Sequence, residues 1–226
     1  KSNEITAIPA LLNLLDIKGC LISIDAMGCQ TAIAEKIVES GGDYLLALKG
    51  NQKELHDAVR NELAGAVNQE VICLEKHHGR GEARAYHVMD AASLVNRFPE
   101  WKGLKTIGVT LSYRQPKKGK ASLEYRYYIS SAALTKARFA NAVRSHWAVE
   151  NSLHWVLDVS MKEDECQIYR GNAAEILSGA RKLALNMLRA ETTRKTSVPR
   201  KQKRAHGSTD YLEKVLAAGL VALNEI

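Results

Sequence analysis

The chain has 226 residues, 46% of them apolar, enough to bury a sizeable core in one large domain or one domain carrying an insertion. Its 32 Lys and Arg oppose 25 Asp and Glu, and the formal net charge of +7 favours polyanionic partners, nucleic acid above all. No run reaches the roughly 18 to 20 apolar residues of a membrane span, no signal peptide is visible, and the four cysteines form no CxxC pair. These features predict a soluble, cytoplasmic protein with reduced thiols, outside the zinc-finger and thioredoxin classes. The sequence opens on Lys1 rather than Met, which reads as a piece of something longer.

In chain order, ITAIPALLNLL (5–15) has helical spacing with Pro9 near its start, and CLISIDA predicts a short strand ending at Asp25. TAIAEKIVES (31–40) predicts a helix closed by Gly41-Gly42, DYLLALK (43–49) a second strand ended by Gly50-Asn51, and Gln52 to Val67 another helix. This alternation predicts an α/β unit with a parallel sheet, and such sheets place ligands beyond the carboxyl ends of their strands, where Asp25 sits. After about residue 70 the pattern changes. Val71–Leu74, Ala83–Met89, Thr106–Tyr113 and Glu124–Ser130 read as antiparallel strands, with turns at 79–81 and 116–119, and suggest a β-rich insertion. From Lys136 the chain is helical, and Asn172–Ala190 predicts a second long helix through Ile176, Leu183, Leu185, Met187 and Leu188. Arg189 to Arg204 holds seven Lys or Arg against one acid, which predicts a solvated, mobile tail whose functional reading is phosphate contact. A short helix, Asp210–Leu223, follows, and no internal repeat is visible.

The stretch RSHWAVENSLHWVLDVSMKED (144–164) lacks Pro and Gly and predicts one helix. Val149, Leu153, Val156 and Leu157 cover an arc of roughly 100°, which would face a core. His146, Glu150 and His154 follow at i, i+4, i+8 along its edge, where a half-buried carboxylate needs an Arg or a metal ion beside it. The plainer alternative is a core helix with hydrogen-bonded polar residues on its rim. Asp25 and Glu150 can converge if this helix packs across the sheet, and paired carboxylates suit Mg²⁺ or Mn²⁺. Asp25 can equally cap the turn that follows it. A transition metal on His146, Glu150 and His154 is a weaker alternative, and no HExxH motif is present. Lys49-Gly50-Asn51-Gln52 forms a strand-to-helix turn suited either to a phosphate or to a helix cap at Asn51. His78-Gly79-Arg80-Gly81 is either a basic turn for a DNA backbone or an ordinary hairpin loop. Trp155 is expected in the core, whereas Trp147 suits either packing or base stacking.

The segments SIDAMGCQ, DYLLALKGNQ, HGRGEAR, EYRYYISS, RSHWAVENSLHWVLDVSMKED and RGNAAE together resemble the H repeat-associated (ISAs-type) group of DDE insertion-sequence transposases. The resemblance runs almost end to end, and the motif HWxxENxLHWxLDV is its most specific part. It implies an RNase H-like α/β catalytic fold with a β-rich insertion between the second and third carboxylates. It further implies three carboxylates holding two Mg²⁺ (or Mn²⁺) ions for strand cleavage and strand transfer at transposon ends. Asp25 and Glu150 match the second and third of these as catalytic metal ligands. The first Asp belongs to an earlier strand in an IDGK-like segment that this sequence lacks, so the N-terminal strands are expected to be missing and the form truncated.

Double-stranded DNA (transposon ends and target), a homodimer in the synaptic complex and a place at the bacterial nucleoid are implied as well. Lys49, Asn51, Arg80, Arg144, His146 and His154 are the DNA-contact candidates, while Asn151 and Asp158 receive no role. The expected division is a partial RNase H-like core over 1–70, the β-rich insertion over 71–132, a helical completion carrying Glu150 over 133–190, and a basic tail with a short helix over 191–226. The alternatives are a catalytically dead DNA-binding remnant and a metal-dependent nuclease of the same fold.

Overall fold

The computed structural model of the chain describes residues 4–67, 74–77, 80–116 and 119–224. It divides into two compact units, Lys1–His146 and Trp147–Ile226. The first contains α1 (Glu4–Leu14), β1 (Leu21–Ile24), α2 (Thr31–Glu39), β2 (Asp43–Leu48), α3 (Lys53–Val67), β3 (Leu74–His77), β4 (Arg80–Asp90), α4 (Ala92–Val95), β5 (Thr106–Gln115), β6 (Ser122–Ser130) and most of α5 (Lys136–Val149).

The six strands form one mixed sheet in the order β1-β2-β6-β5-β4-β3. β1 and β2 are parallel, with Leu21 opposite Asp43, as the helix–strand alternation predicts. All later pairs are antiparallel, and β6 joins the far edge of β2 with Leu45 opposite Ser130. The β-rich segment expected as an insertion therefore extends the same sheet. Of the strand expected at Val71–Leu74, residues 71–73 lie outside the described residues, and the strand runs from Leu74 to His77. Of the two expected turns, residues 79, 117 and 118 also lie outside them, and Arg80 and Gly81 already belong to β4.

Two-residue periodicity sorts the side chains between the faces. Tyr44, Leu46 and Leu48 on β2 and Ile107, Val109 and Leu111 on β5 enter one core with Leu12, Ile33, Ile37, Leu55, Val59 and Leu63 of α1–α3. Ile22 and Ile24 of β1 pack against that core. The opposite parity meets α5, where the Phe139 ring stands edge-on to Tyr86 and Tyr128 at 6.2 and 5.5 Å. Gly108 makes room for it, since a Cβ there would lie 2.8 Å from the ring. The chain is steered into α5 by side-chain bonds at the end of β6. Ser130 Oγ donates to Tyr44 O at 2.6 Å, Tyr44 N donates to Ser131 Oγ at 3.0 Å, and Ser131 Oγ donates to Asp43 Oδ1 at 2.7 Å.

The second unit is helical. The helix begun by α5 continues through Glu150–His154 and Val156–Ser160 with π spacing. The predicted helix is thus continuous but not regular, and i→i+5 turns take residues at α spacing off a common face. Leu157 is 2% exposed, but Val149 is 47% exposed, and Trp155, expected in the core, is 57% exposed. α6 (Ala173–Ala190), α7 (Val198–Gly207) and α8 (Thr209–Asn224) then pack around Leu188, Tyr211 and Val215, with Met187, Val198 and Ala205 against them. α7 corrects the expectation of a mobile tail. Its Val198 and Ala205 join the apolar cluster, and Lys201 between them is buried on carbonyl and carboxylate partners. No described helix is long and apolar enough to cross a membrane.

Candidate functional site

Asp25 is the first residue past β1 and is exposed. Its Oδ1 accepts the backbone N–H groups of Met27 at 3.0 Å and Gly28 at 3.4 Å, so the capping role holds for that oxygen. Among the described residues Oδ2 has no hydrogen-bond partner. The turn is fixed from beneath, because a Cβ on Gly28 would collide with the Ile24 and Ile8 side chains. It is also clasped from the side by the turn after β2. Asn51 Nδ2 donates to Ala26 O at 2.7 Å, and Gln52 Nε2 donates to Cys29 O at 2.9 Å. Lys49, exposed, opens that clasping turn. Burial pushes the Cys29 thiol up to about 12, so it stays neutral and takes no part as a nucleophile.

From the other face, α5 is seated on β1. His146 Nδ1 and Ser23 Oγ share a hydrogen bond of 3.1 Å. Ser23 lies on the face opposite to Ile22 and Ile24, and Asp25 keeps its parity. With Phe139 over Tyr128 of β6 and His146 on β1, α5 crosses the sheet. The exposed Arg144 guanidinium lies 5.8 Å from the centre of the Tyr86 ring.

The first unit therefore brings together Asp25, Lys49, Asn51 and, through Ser23, His146. Arg80 starts β4, three strands removed from β2, which at about 4.8 Å per strand is roughly 14 Å across the sheet. In the second unit, Glu150 opens the π turns and His154 is exposed at their end. Sequence reasoning placed Gln52 in the turn it singled out without giving it a role, and it missed Ser23, which nothing in the sequence marks.

Residues 1–187 match the family model described as the transposase DDE domain. The chain belongs to the DDE transposase family. Among its relatives, YbfL and YhhI of Escherichia coli (strain K12) are each 50% identical, over 96% of this chain and 60% of their own length. YhhI is named as an H repeat-associated candidate transposase. YncI of Escherichia coli O157:H7, also named as a candidate transposase, is 50% identical over 96% of this chain and 58% of its own length. The chain thus spans about 60% of the length of these curated relatives. Among the described residues of this transposase-family chain, no three His, Cys, Asp or Glu residues gather closely enough to hold a metal ion.

Proposed function

We propose that the chain carries two carboxylates of a metal-dependent DNA strand-transfer site, Asp25 and Glu150, in a transposase that cuts and joins DNA at transposon ends. Asp25 carries this reading. It stands exposed at the carboxyl end of a parallel strand, one oxygen fixed by its turn and the other without a protein partner among the described residues. Carboxylate oxygens are the ligands that Mg²⁺ and Mn²⁺ take. When bound, such ions lower the pKa of an attacking water or 3′-hydroxyl and stabilise the departing 3′ oxygen.

The other residues act by holding and orienting. Asn51 and Gln52 keep the Asp25 turn in one geometry, and His146 seats α5 on β1. Lys49, Arg80, Arg144 and His154 are the DNA contacts of this reading, meeting backbone phosphates with little reading of sequence. Asn51 and His146 contribute chiefly by positioning. In architecture, β1 and β2 would be the parallel pair of an RNase H-like sheet, with β3–β6 inserted between the two carboxylates. The first carboxylate has no matching segment in this sequence and would lie in the further length that the relatives carry. Duplex DNA and a second copy in the synaptic complex, in the bacterial cytoplasm, complete the proposal.

A rival reading is a DNA-binding chain without catalysis. Titration of Mn²⁺ or Mg²⁺ into the purified chain, with an Asp25→Asn, Glu150→Gln variant alongside, decides between them. The expected result is millimolar binding that the variant abolishes. A folded wild-type chain that binds no metal at such concentrations would sink the strand-transfer site and leave the rival. If metal binds, hydrolysis of duplex DNA without joining would point to a nuclease of the same fold.

A further inference from the structure

The second unit holds a feature that the carboxylate site does not use. Arg194, Lys195, Arg200, Lys203 and Arg204, with two threonines, line an open hollow of about 650 Å³ that no acid and no aromatic ring lines. Among the described residues, none of these five cations is held in an ion pair. Arg200, Lys203 and Arg204 stand at i, i+3, i+4 on one face of α7, and Val198, Lys201 and Ala205 face the helix cluster. Like charges at that spacing destabilise a helix. The first turn of α7 also carries no acid, so cations crowd the positive end of its dipole. Stability alone would put carboxylates there, whereas a polyanion in the hollow removes both penalties.

The hollow is also preformed. Glu191, buried just past α6, accepts Thr193 N at 2.7 Å, the Thr193 hydroxyl, and the Tyr211 hydroxyl of α8 at 2.6 Å. Lys201 Nζ lies 3.4 Å from the Glu191 carboxylate and donates to Leu188 O at 2.9 Å and to Glu191 O. These bonds tie the loop carrying Arg194, Lys195 and Thr196 to all three helices. The Arg204 guanidinium is held 5.4 Å above the Tyr211 ring.

We propose that the corner between α6 and α7 is a preformed clamp for the backbone phosphates of duplex DNA, working without metal. A lining of cations and hydroxyls with no stacking ring suits phosphates rather than bases. The choice of DNA as the partner rests on the transposase reading, whereas the hollow itself does not.

The test uses the whole chain, a short fluorescent DNA duplex and EDTA, with affinity followed by anisotropy across a salt series. Arg194→Gln, Arg200→Gln, Lys203→Gln together lower the slope of log K against log salt by about 2.7, at roughly 0.9 per phosphate contact. An unchanged slope, in a variant of wild-type helix content, overturns the clamp. A second comparison separates a clamp from a flexible basic tail. Glu191→Gln removes a negative charge, which tightens binding by a tail but weakens binding by a clamp that loses its tie. Tyr211→Phe leaves the charge unchanged, removes one bond to Glu191 and also weakens the clamp. Tighter binding by Glu191→Gln, or unchanged binding by a folded Tyr211→Phe chain, overturns the proposal. Displacement of the duplex by polyglutamate at equal charge overturns the nucleic-acid assignment in favour of an acidic protein segment. The assay contains EDTA and no divalent ion, so a failed metal titration fells the strand-transfer site while the clamp is judged separately.

Discussion

In the sheet-bearing unit, Lys1–His146, residues 106–111 of strand β5 are buried on both faces, between the α1–α3 core and the Phe139 ring of α5. In the helical unit, Trp147–Ile226, the buried apolar side chains are few: Leu157, Leu185, Leu188, Tyr211 and Val215 among them. Ile176, Leu183, Leu216 and Leu220 stay exposed. The helical unit instead buries a lysine, a glutamate and a tyrosine in one bonded cluster. Apolar burial is indifferent to pH and tolerates small volume changes at modest cost. A buried ion pair depends on every partner being present, because losing one leaves an uncompensated charge. The two units should therefore fail under different insults.

The largest expected effect comes from Glu191→Ala, which leaves Lys201 buried without its carboxylate and should cost about 3–5 kcal/mol. Hydrogen exchange followed by mass spectrometry should show protection lost across 173–224 and retained across 21–48 and 106–130. Equal loss in both units would end the comparison.

Acid should reproduce a weaker form of the same failure. Burial pushes the Glu191 carboxyl up, but hydrogen bonds from Thr193 and Tyr211 and the pairing with Lys201 outweigh it and hold it down at about 2. The folded-state value lies below the unfolded one of about 4.3. Its contribution is therefore complete above that value and disappears as pH falls toward about 2. Helix ellipticity and exchange should report loosening of 173–224 between about pH 5 and pH 2 ahead of the sheet. Protection that stays flat over this window would rule out the Glu191 tie as the stabilising element.

Gly108→Ala strikes the other unit. The added methyl would press on the Phe139 ring, at an expected cost of about 1–3 kcal/mol to the sheet unit alone. Phe139→Leu in the same chain should recover part of that loss, measured by thermal melting, and no recovery would mean the strain lies elsewhere. The smallest effect belongs to Asn51→Ala, which removes the bond to Ala26 O and should cost about 0.5–1.5 kcal/mol. Metal affinity at Asp25 should fall while exchange in 173–224 is unchanged. A variant that binds metal as the wild type does would show that the Asp25 turn needs no clasp.

The first half of the chain was largely legible. Glycine pairs and apolar periodicity located α1, β1, α2, β2 and α3 to within a residue or two, and with them Asp25 at a strand end. Legibility fell where a second interaction overrode a local pattern. Trp155 was expected in the core, but it lies among the π turns that begin at Glu150 and is exposed. The run from Arg189 to Arg204 read as solvated because its charge is so lopsided. The single acid within it, Glu191, was the signal of order, since one buried carboxylate organises the loop and Lys201 around itself. α4, four residues long, was too short to show a period.

By itself, the sequence determined the order of elements, the facing of strand residues, the basic balance and the family motif, all properties set within a few neighbouring residues. Only the tertiary structure decided that β6 lies beside β2, that Asn51 and Gln52 clasp the Asp25 turn, and that His146 rests on Ser23. Ser130 and Tyr44 are 86 residues apart, and His146 and Ser23 are 123. No local rule links residues so distant. Their pairing follows from which faces must be buried together, and from the need of each buried polar group for a partner.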